Sequence, residues 1–294
     1  MRDRVIFRIG SPRSLPRHGW LGLALIAIFW TVNWSLDGLR THWGFFPLWL
    51  GYCLAIDGLV YWRKGTSLLT RDWRKYLTLF LISAPVWWTF EAINWRVQNW
   101  HYVGAEFFTN LEFTLWSTLS FTTVIPAVFG TAEIIGSFRF LDRFRSGPVI
   151  RPDLPTTIIF FLSGATMLAL MMIWPAIFFP FVWISLYFMF GSVNVWLGNR
   201  SLTEWLRNGD WRPVVALWIG VLVTAVFWEM WNYLSYPKWI YTVPWGGCCK
   251  VFEMPLLGYG GYLPFALELY AIYHFVAGLF GANATRYVQI VEER

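Results

Sequence analysis

The sequence predicts an all-α polytopic membrane bundle of about eight transmembrane helices, built from two parallel four-helix repeats. Three observations predict it: long apolar runs recur along the chain, positive charge falls on alternate loops, and polar and proline residues recur at fixed spacing. Only 14% of the 294 residues are charged and 57% are hydrophobic, against roughly 25% charged in a typical soluble domain. Mean hydropathy is +0.47. Such a chain cannot cover a water-facing surface.

A bilayer span needs about 20 mostly apolar residues. Eight runs meet that need, at roughly 20–36, 45–62, 75–94, 113–135, 157–175, 178–197, 213–233 and 262–282. The third and seventh begin at Asp-Trp-Arg, where Asp is a natural N-cap. The link around Trp174-Pro175 and Pro180 is so short that the fifth and sixth spans form a tight hairpin.

Charge tests the arrangement independently. Of 23 Lys and Arg, 19 fall on one side: the N-terminal tail, residues 63–75, 139–151 and 200–212, and the C-terminal tail. Only Arg40, Arg96, Lys238 and Lys250 fall on the other. Positive loops stay cytoplasmic, so both termini are expected in the cytoplasm and the chain in a bacterial inner membrane. The net charge of +6 therefore sets orientation and implies no nucleic-acid partner.

The halves repeat. Phe45-Phe46-Pro47, Gly58 and Gly65 recur as Phe178-Phe179-Pro180, Gly191 and Gly198, shifted by 133. Asp72-Trp73-Arg74, Glu91, Asn94 and Pro126 recur as Asp210-Trp211-Arg212, Glu229, Asn232 and Pro264, shifted by 138. An even number of helices per unit makes the repeat parallel, with a pseudo-two-fold axis along the membrane normal. The organisation is then a cytoplasmic tail over 1–19, the first repeat over 20–150, the second over 151–285 and a second tail over 286–294.

Glu91/Asn94 and Glu229/Asn232 are the candidate catalytic groups. Each pair is spaced i, i+3 and shares a helix face, near the extracytoplasmic end of its helix. Trp87 and Trp88 precede Glu91, Trp228 and Trp231 flank Glu229, and Trp100-His101-Tyr102 and Trp239-Ile240-Tyr241 follow the two helices. Low-dielectric surroundings favour the neutral form of a carboxyl, and a neutral carboxylic acid donates protons. The structural alternative is a Glu-Asn pair that ties down loose backbone at a helix end. Ionisable groups within spans tend to mark sites. The Asp-Trp-Arg triplets read as cap, interface anchor and orienting charge.

The stretch Phe252 to Pro264 is too rich in Gly and Pro for one continuous helix, and reads as a re-entrant segment or an interfacial loop. Glu253, Tyr259 and Glu268 lie in or beside it, and join Trp228, Trp231, Trp239 and Tyr241 as candidate ligand-binding residues. Asp57 and Glu133 are single acids that read first as partners in buried hydrogen bonds and second as proton-path residues. His274 is the only histidine well inside a span, so haem held by two histidines is disfavoured. No nucleotide, zinc or Asp-rich diphosphate motif is present, and no metal or cofactor is expected. Cys248-Cys249 reads as free thiols or a labile bond.

The Trp228-Glu229 helix end, Trp239-x-Tyr241 and Glu253-Met254-Pro255-Leu256 resemble the arrangement in membrane lycopene cyclases and related carotenoid-modifying proteins. The likeness covers about the last third of the chain. It departs in two ways: that family pairs adjacent acids after a proline, and its unit has three helices. The resemblance implies carboxylates in an apolar, aromatic setting acting on a hydrophobic, isoprenoid-like ligand, a carotenoid or lipid. Protonating an isoprenoid double bond needs an acid, and aromatic faces stabilise the resulting cation. Two alternatives remain at this stage: a proton-coupled small-molecule transporter, and a non-catalytic subunit with a membrane-protein partner. The expected surroundings in each case are the lipid bilayer.

Single cysteines at Thr66 and Ser146 are expected to react only from the cytoplasm, and at Thr109 and Thr242 only from outside. Labelling of Thr66 and Thr109 positions from the same side would overturn the eight-span arrangement.

Overall fold

A computed structural model describes residues 14–36, 41–281 and 286–292. Arg2, Arg4, Arg8 and Arg13 of the N-terminal tail, Arg40 and Arg294 lie outside the described residues. Among the described residues the chain is mostly helical: α1 (Arg17–Ser35), α2 (Thr41–Lys64), α3 (Leu68–Arg71), α4 (Trp73–Val97), α5 (Asn110–Phe121), α6 (Val124–Gly136), α7 (Leu154–Ile173), α8 (Pro175–Phe178), α9 (Ser185–Trp196), α10 (Thr203–Leu206), α11 (Arg212–Tyr233) and α12 (Tyr259–Leu279). The strands are short: β1 (Trp100–Val103), β2 (Lys238–Tyr241), β3 (Lys250–Val251) and β4 (Met254–Pro255).

Six segments are long and apolar enough to cross a membrane: His42–Lys64, Trp73–Val97, Asn110–Gly136, Leu154–Ile173, Arg212–Tyr233 and Leu256–Leu279. A bent pair, Pro175–Trp183 with Ser185–Trp196, turns by 44° and makes a seventh if it is one span. The chain is a multi-pass membrane protein. The expected first span corresponds to α1, a helix of 19 residues that is not among the six.

Local chemistry explains where the helices begin and break. Asp72 caps α4 by accepting from the backbone N–H of Arg74 and Lys75. Asp210 instead accepts from Arg212 N at 3.1 Å and holds the same residue's guanidinium at 2.6 Å, while the cap position of α11 belongs to Trp211. The Asn110–Gly136 span breaks at Thr122-Thr123, between α5 and α6. Ser83 of α4 bridges that break, donating to Phe121 O at 2.6 Å and accepting from Ile125 N at 3.0 Å. Backbone groups loosened in an apolar layer need such partners.

The Phe252–Pro264 stretch differs from expectation. It is part strand and part helix: β3 pairs with β4, Leu256–Gly258 forms one 3-10 turn, and α12 runs on through Gly260, Gly261 and Pro264. The glycines sit in the first turn of α12, where their cost to the helix is low. Gly261 has a positive use there, because a Cβ on it would come within 2.8 Å of the Trp183 ring.

Helix packing relies on close backbone approach, as expected where helices must associate without water driving them together. A Cβ on Gly22 of α1 would lie 2.4 Å from Ala55 N of α2. The core is aromatic, with Trp49, Phe90, Phe129, Trp231, Phe265 and Tyr270 almost fully buried. At one end of the bundle, β1 and β2 form an antiparallel ribbon that pairs Trp100 with Tyr241 and Tyr102 with Trp239.

The opposite end is tied by two trailing segments. The stretch after α6 packs on α10 and α11, through Trp211 N to Phe144 O at 2.9 Å, Gly147 N to Gly209 O at 2.8 Å and Ile150 N to Leu206 O at 3.1 Å. Residues 286–292, after α12, dock on the other half. Tyr287 donates to Leu68 O at 2.9 Å, Gln289 N donates to Glu133 Oε1 at 2.7 Å, and Lys64 Nζ donates to Gln289 O at 3.0 Å. Enclosure raises the Tyr287 phenol far above its ordinary range, so it stays a donor.

The Ile290 carbonyl occupies the space of a side chain at position 136, where a Cβ would stand 1.6 Å from its oxygen. Gly136→Val should therefore displace the tail and cost about 1–3 kcal/mol, as overpacking generally does. The check is a thermal melt together with limited proteolysis of the C-terminus. An unchanged melting temperature with a protected tail would contradict the docking.

Candidate functional site

Glu91 and Glu229 sit in α4 and α11 near the ribbon end of the bundle, 6% and 0% exposed. The two asparagines hold the returning chain against these helices. Asn94 Nδ2 donates to Trp100 O at 2.8 Å and its Oδ1 accepts from Asn99 N at 2.8 Å. Asn232 Nδ2 donates to Trp239 O at 2.7 Å and its Oδ1 accepts from Trp239 N at 2.9 Å. Both side chains are spent on main chain. They position β1 and β2, and with them the aromatic residues those strands carry.

Those aromatics reach back to the acids. Glu91 Oε1 accepts from Trp87 Nε1 at 2.9 Å, Trp100 Nε1 at 3.0 Å and Tyr102 OH at 2.5 Å. Glu229 Oε1 accepts from Tyr241 OH and Tyr262 OH, each at 2.7 Å. Trp239 Nε1 in turn donates to Tyr241 OH at 3.0 Å. Glu229 Oε2 is buried and has no protein partner. Enclosure and the neighbouring carboxylate hold the phenols of Tyr102 and Tyr241 well above their usual range, so both remain donors at physiological pH.

The donor rings wall one cavity of about 160 Å³. Trp87, Trp100 and Tyr102 bring the Glu91 side to it, and Tyr241, Tyr262 and Trp239 bring the Glu229 side. Trp183 and Trp228 complete the aromatic box, the first stacked on Trp100 at 5.8 Å and the second on Tyr262 at 6.0 Å. The outer wall comes from α5, where Phe113, Trp116 and Ser120 face the space. His42 packs on Trp116 at 5.5 Å at the same wall. Lys238 also lines the cavity, with its ammonium held by Glu253 and by the Tyr233 carbonyl.

The remaining sequence candidates lie elsewhere. Trp231 is fully buried in the aromatic core against Trp49 and Trp30. Glu268 accepts from Leu186 N at 3.0 Å and caps the start of α9. Tyr259 donates to Val251 O at 3.2 Å. Glu253 holds Lys238 at the rim. None of these four residues lines the cavity.

Sequence reasoning missed Tyr262 and Trp183 as members of the site. Tyr262 stood in a stretch read as broken backbone. Trp183 follows the short hairpin link and has no spacing signal that ties it to either acid.

A second polar cluster occupies the opposite end. Asp57 Oδ2 accepts from Ser67 Oγ at 2.7 Å and lies 3.0 Å from His18 Nε2, and Leu69 N donates to Asp57 Oδ1 at 3.0 Å. Glu133 accepts from Arg71 at 2.5 Å and lies 3.6 Å from Lys64. These acids do sit in buried hydrogen bonds, each beside a basic group. His274 is buried with its ring 4.3 Å from that of Tyr270. Cys248 and Cys249 are exposed free thiols. Among the described residues, no three His, Cys, Asp or Glu side chains gather to hold a metal ion.

No protein-family model, curated protein or solved structure matches the chain. The functional reading therefore rests on the geometry of the cavity.

Proposed function

We propose that the chain is a bacterial inner-membrane protein that binds or modifies a hydrophobic, isoprenoid-like ligand, a carotenoid or lipid, in the aromatic cavity. One observation carries this reading: a single cavity is walled by the very Trp and Tyr rings that hydrogen-bond Glu91 and Glu229. Pockets for small molecules are mostly apolar and aromatic with a few placed polar groups. Rings that donate to a carboxylate are also well suited to stabilise positive charge that develops on a ligand.

In this reading the chain crosses the bilayer eight times, counting α1 and the bent pair over 175–196. The halves are parallel four-helix repeats, and both termini are cytoplasmic. Shared bonding supports the duplication: Asn94 and Asn232 each pin the strand that follows their helix, and each strand sends a tyrosine back to the glutamate. The ribbon pairing of Trp100 with Tyr241 and Tyr102 with Trp239 fits a pseudo-two-fold axis passing between β1 and β2. The crossed docking of the two trailing segments fits the same axis. The 19-to-4 division of basic residues supports an extracytoplasmic cavity.

Geranylgeraniol, an uncharged isoprenoid, is a suitable probe. The protein in dodecyl maltoside should bind it at one site. Glu229→Gln should weaken binding about tenfold, the consequence of roughly 1.4 kcal/mol. Glu91→Gln should mainly lower the melting temperature, because its carboxylate gathers more donors. Binding that is absent, or indifferent to both Glu229→Gln and Trp239→Leu, would refute the ligand site.

A further inference from the structure

A second cavity lies toward the end of the bundle away from the ribbon. Its volume is about 180 Å³, and residues of α7, α9, α10, α11 and α12 line it, with Ile150 from the segment after α6. It shares no lining residue with the aromatic cavity. None of the described residues that line it is charged, whereas the aromatic cavity has Lys238 and His42 on its walls.

A missing side chain helps to make this space. Gly191 sits within α9 and lines the cavity. Glycine inside a helix costs about 1 kcal/mol relative to alanine, and close packing against a neighbour is one use that offsets it. Gly58, 133 residues earlier in the sequence, has that use: a Cβ on it would come within 2.6 Å of Gly19 Cα. A Cβ on Gly191 would meet only the ring of Tyr187, at 3.8 Å. No neighbouring backbone takes up the room, so it is left to the cavity.

Most polar side chains on its walls are already bonded to protein. Ser192 Oγ donates to Phe188 O at 2.8 Å, Thr157 Oγ1 to Asp153 O at 3.1 Å, Thr203 Oγ1 to Ser201 Oγ at 3.1 Å and Trp211 Nε1 to Pro148 O at 2.8 Å. Two ring donors are left over. Trp218 Nε1 is buried and has no protein partner. Among the described residues, the Tyr187 hydroxyl has none either. A buried donor without an acceptor costs about 1–3 kcal/mol. Tyr187 belongs to α9 and Trp218 to α11, so each helix brings one such ring to the cavity wall.

We infer that this second cavity binds a neutral, apolar molecule through a carbonyl oxygen that accepts from Tyr187 and Trp218. One such oxygen has two lone pairs and can serve both donors. Uncharged, largely apolar walls disfavour an ionic group. The bilayer is the source of the molecule: Thr157 and Phe160 of α7 line the cavity, while Ile158, Ile159 and Leu162 of the same helix are exposed on the outside of the bundle. A quinone ring and an acyl ester share this carbonyl chemistry. The inference does not rest on the ligand site proposed above.

The test is calorimetric titration of the full chain in dodecyl maltoside with 2-decyl-1,4-benzoquinone, methyl laurate and decylbenzene, the last without any oxygen. At least one carbonyl compound should bind at one site, about tenfold or more tighter than decylbenzene. The tighter of the two assigns the oxygen to a quinone ring or to an acyl ester. Tyr187→Phe and Trp218→Phe should each cut the preference over decylbenzene about threefold. Gly191→Leu, which puts a side chain into the space, should abolish binding of the carbonyl compound. Excess geranylgeraniol should not displace it. If Trp218→Phe or Gly191→Leu fails to fold, Tyr187→Phe decides alone, because it keeps the ring and removes only the hydroxyl. Absent binding, binding no tighter than that of decylbenzene, or a preference unchanged in Tyr187→Phe would overturn the inference. Displacement by geranylgeraniol would also overturn it, by placing the carbonyl compound in the aromatic cavity. Loss of geranylgeraniol binding alone would remove only the reading of the aromatic cavity.

Discussion

Two carboxylates buried inside an apolar bundle must be given hydrogen-bond donors, and much of the structure at the ribbon end follows from that requirement. The spans around Glu91 and Glu229 offer few donors of their own, since their backbone N–H groups are used in the helices. The donors come from Trp Nε1 and Tyr OH groups, which combine an apolar body with one polar tip. Those tips turn toward the acids, and the ring bodies are left to line the cavity. Bringing donors to one oxygen of each acid and building an aromatic box are therefore one structural act.

The asparagines make that act possible. Each closes a loop between the end of its helix and the strand that follows, so Trp100 and Tyr102 or Trp239 and Tyr241 arrive beside the correct glutamate. The ribbon then joins the two returns, and each half of the chain contributes rings to one shared space. At the other end the acids are handled differently. Asp57 and Glu133 stand beside histidine, arginine and lysine, and the docked C-terminal segment adds a backbone N–H. Basic side chains stand beside the acids at that end, whereas neutral N–H and O–H donors meet the acids at the ribbon end.

Much of this was legible in the sequence because membrane insertion leaves coarse marks. Apolar run lengths place most of the helices, and the i, i+3 spacing of Glu91/Asn94 and Glu229/Asn232 identifies the acids with the residues that organise the strands around them. The Trp-x-Tyr segments were visible as companions of the acids, but not as an antiparallel pair, since two four-residue strands carry no periodicity long enough to read. Trp231 and Trp228 both lie beside Glu229 in sequence, and only packing decides that Trp228 meets the cavity while Trp231 fills the core. Glycine and proline misled at Gly258–Pro264: glycines in a first helical turn interrupt little, and Gly261 is needed to seat the Trp183 ring. Glu268 looked like a third acid for the site, but its side chain is taken by the backbone at the start of α9.

The central claim is that the rings that donate to Glu91 and Glu229 wall one ligand cavity. An experimental density map of the purified protein with geranylgeraniol bound tests it most directly. The account predicts non-protein density enclosed by Trp87, Trp183, Trp239 and Tyr262, with Tyr102 and Tyr262 still bonded to their glutamates behind it. Glutamates that open onto separate spaces, or a cavity filled by protein side chains with the ligand bound elsewhere, would contradict it.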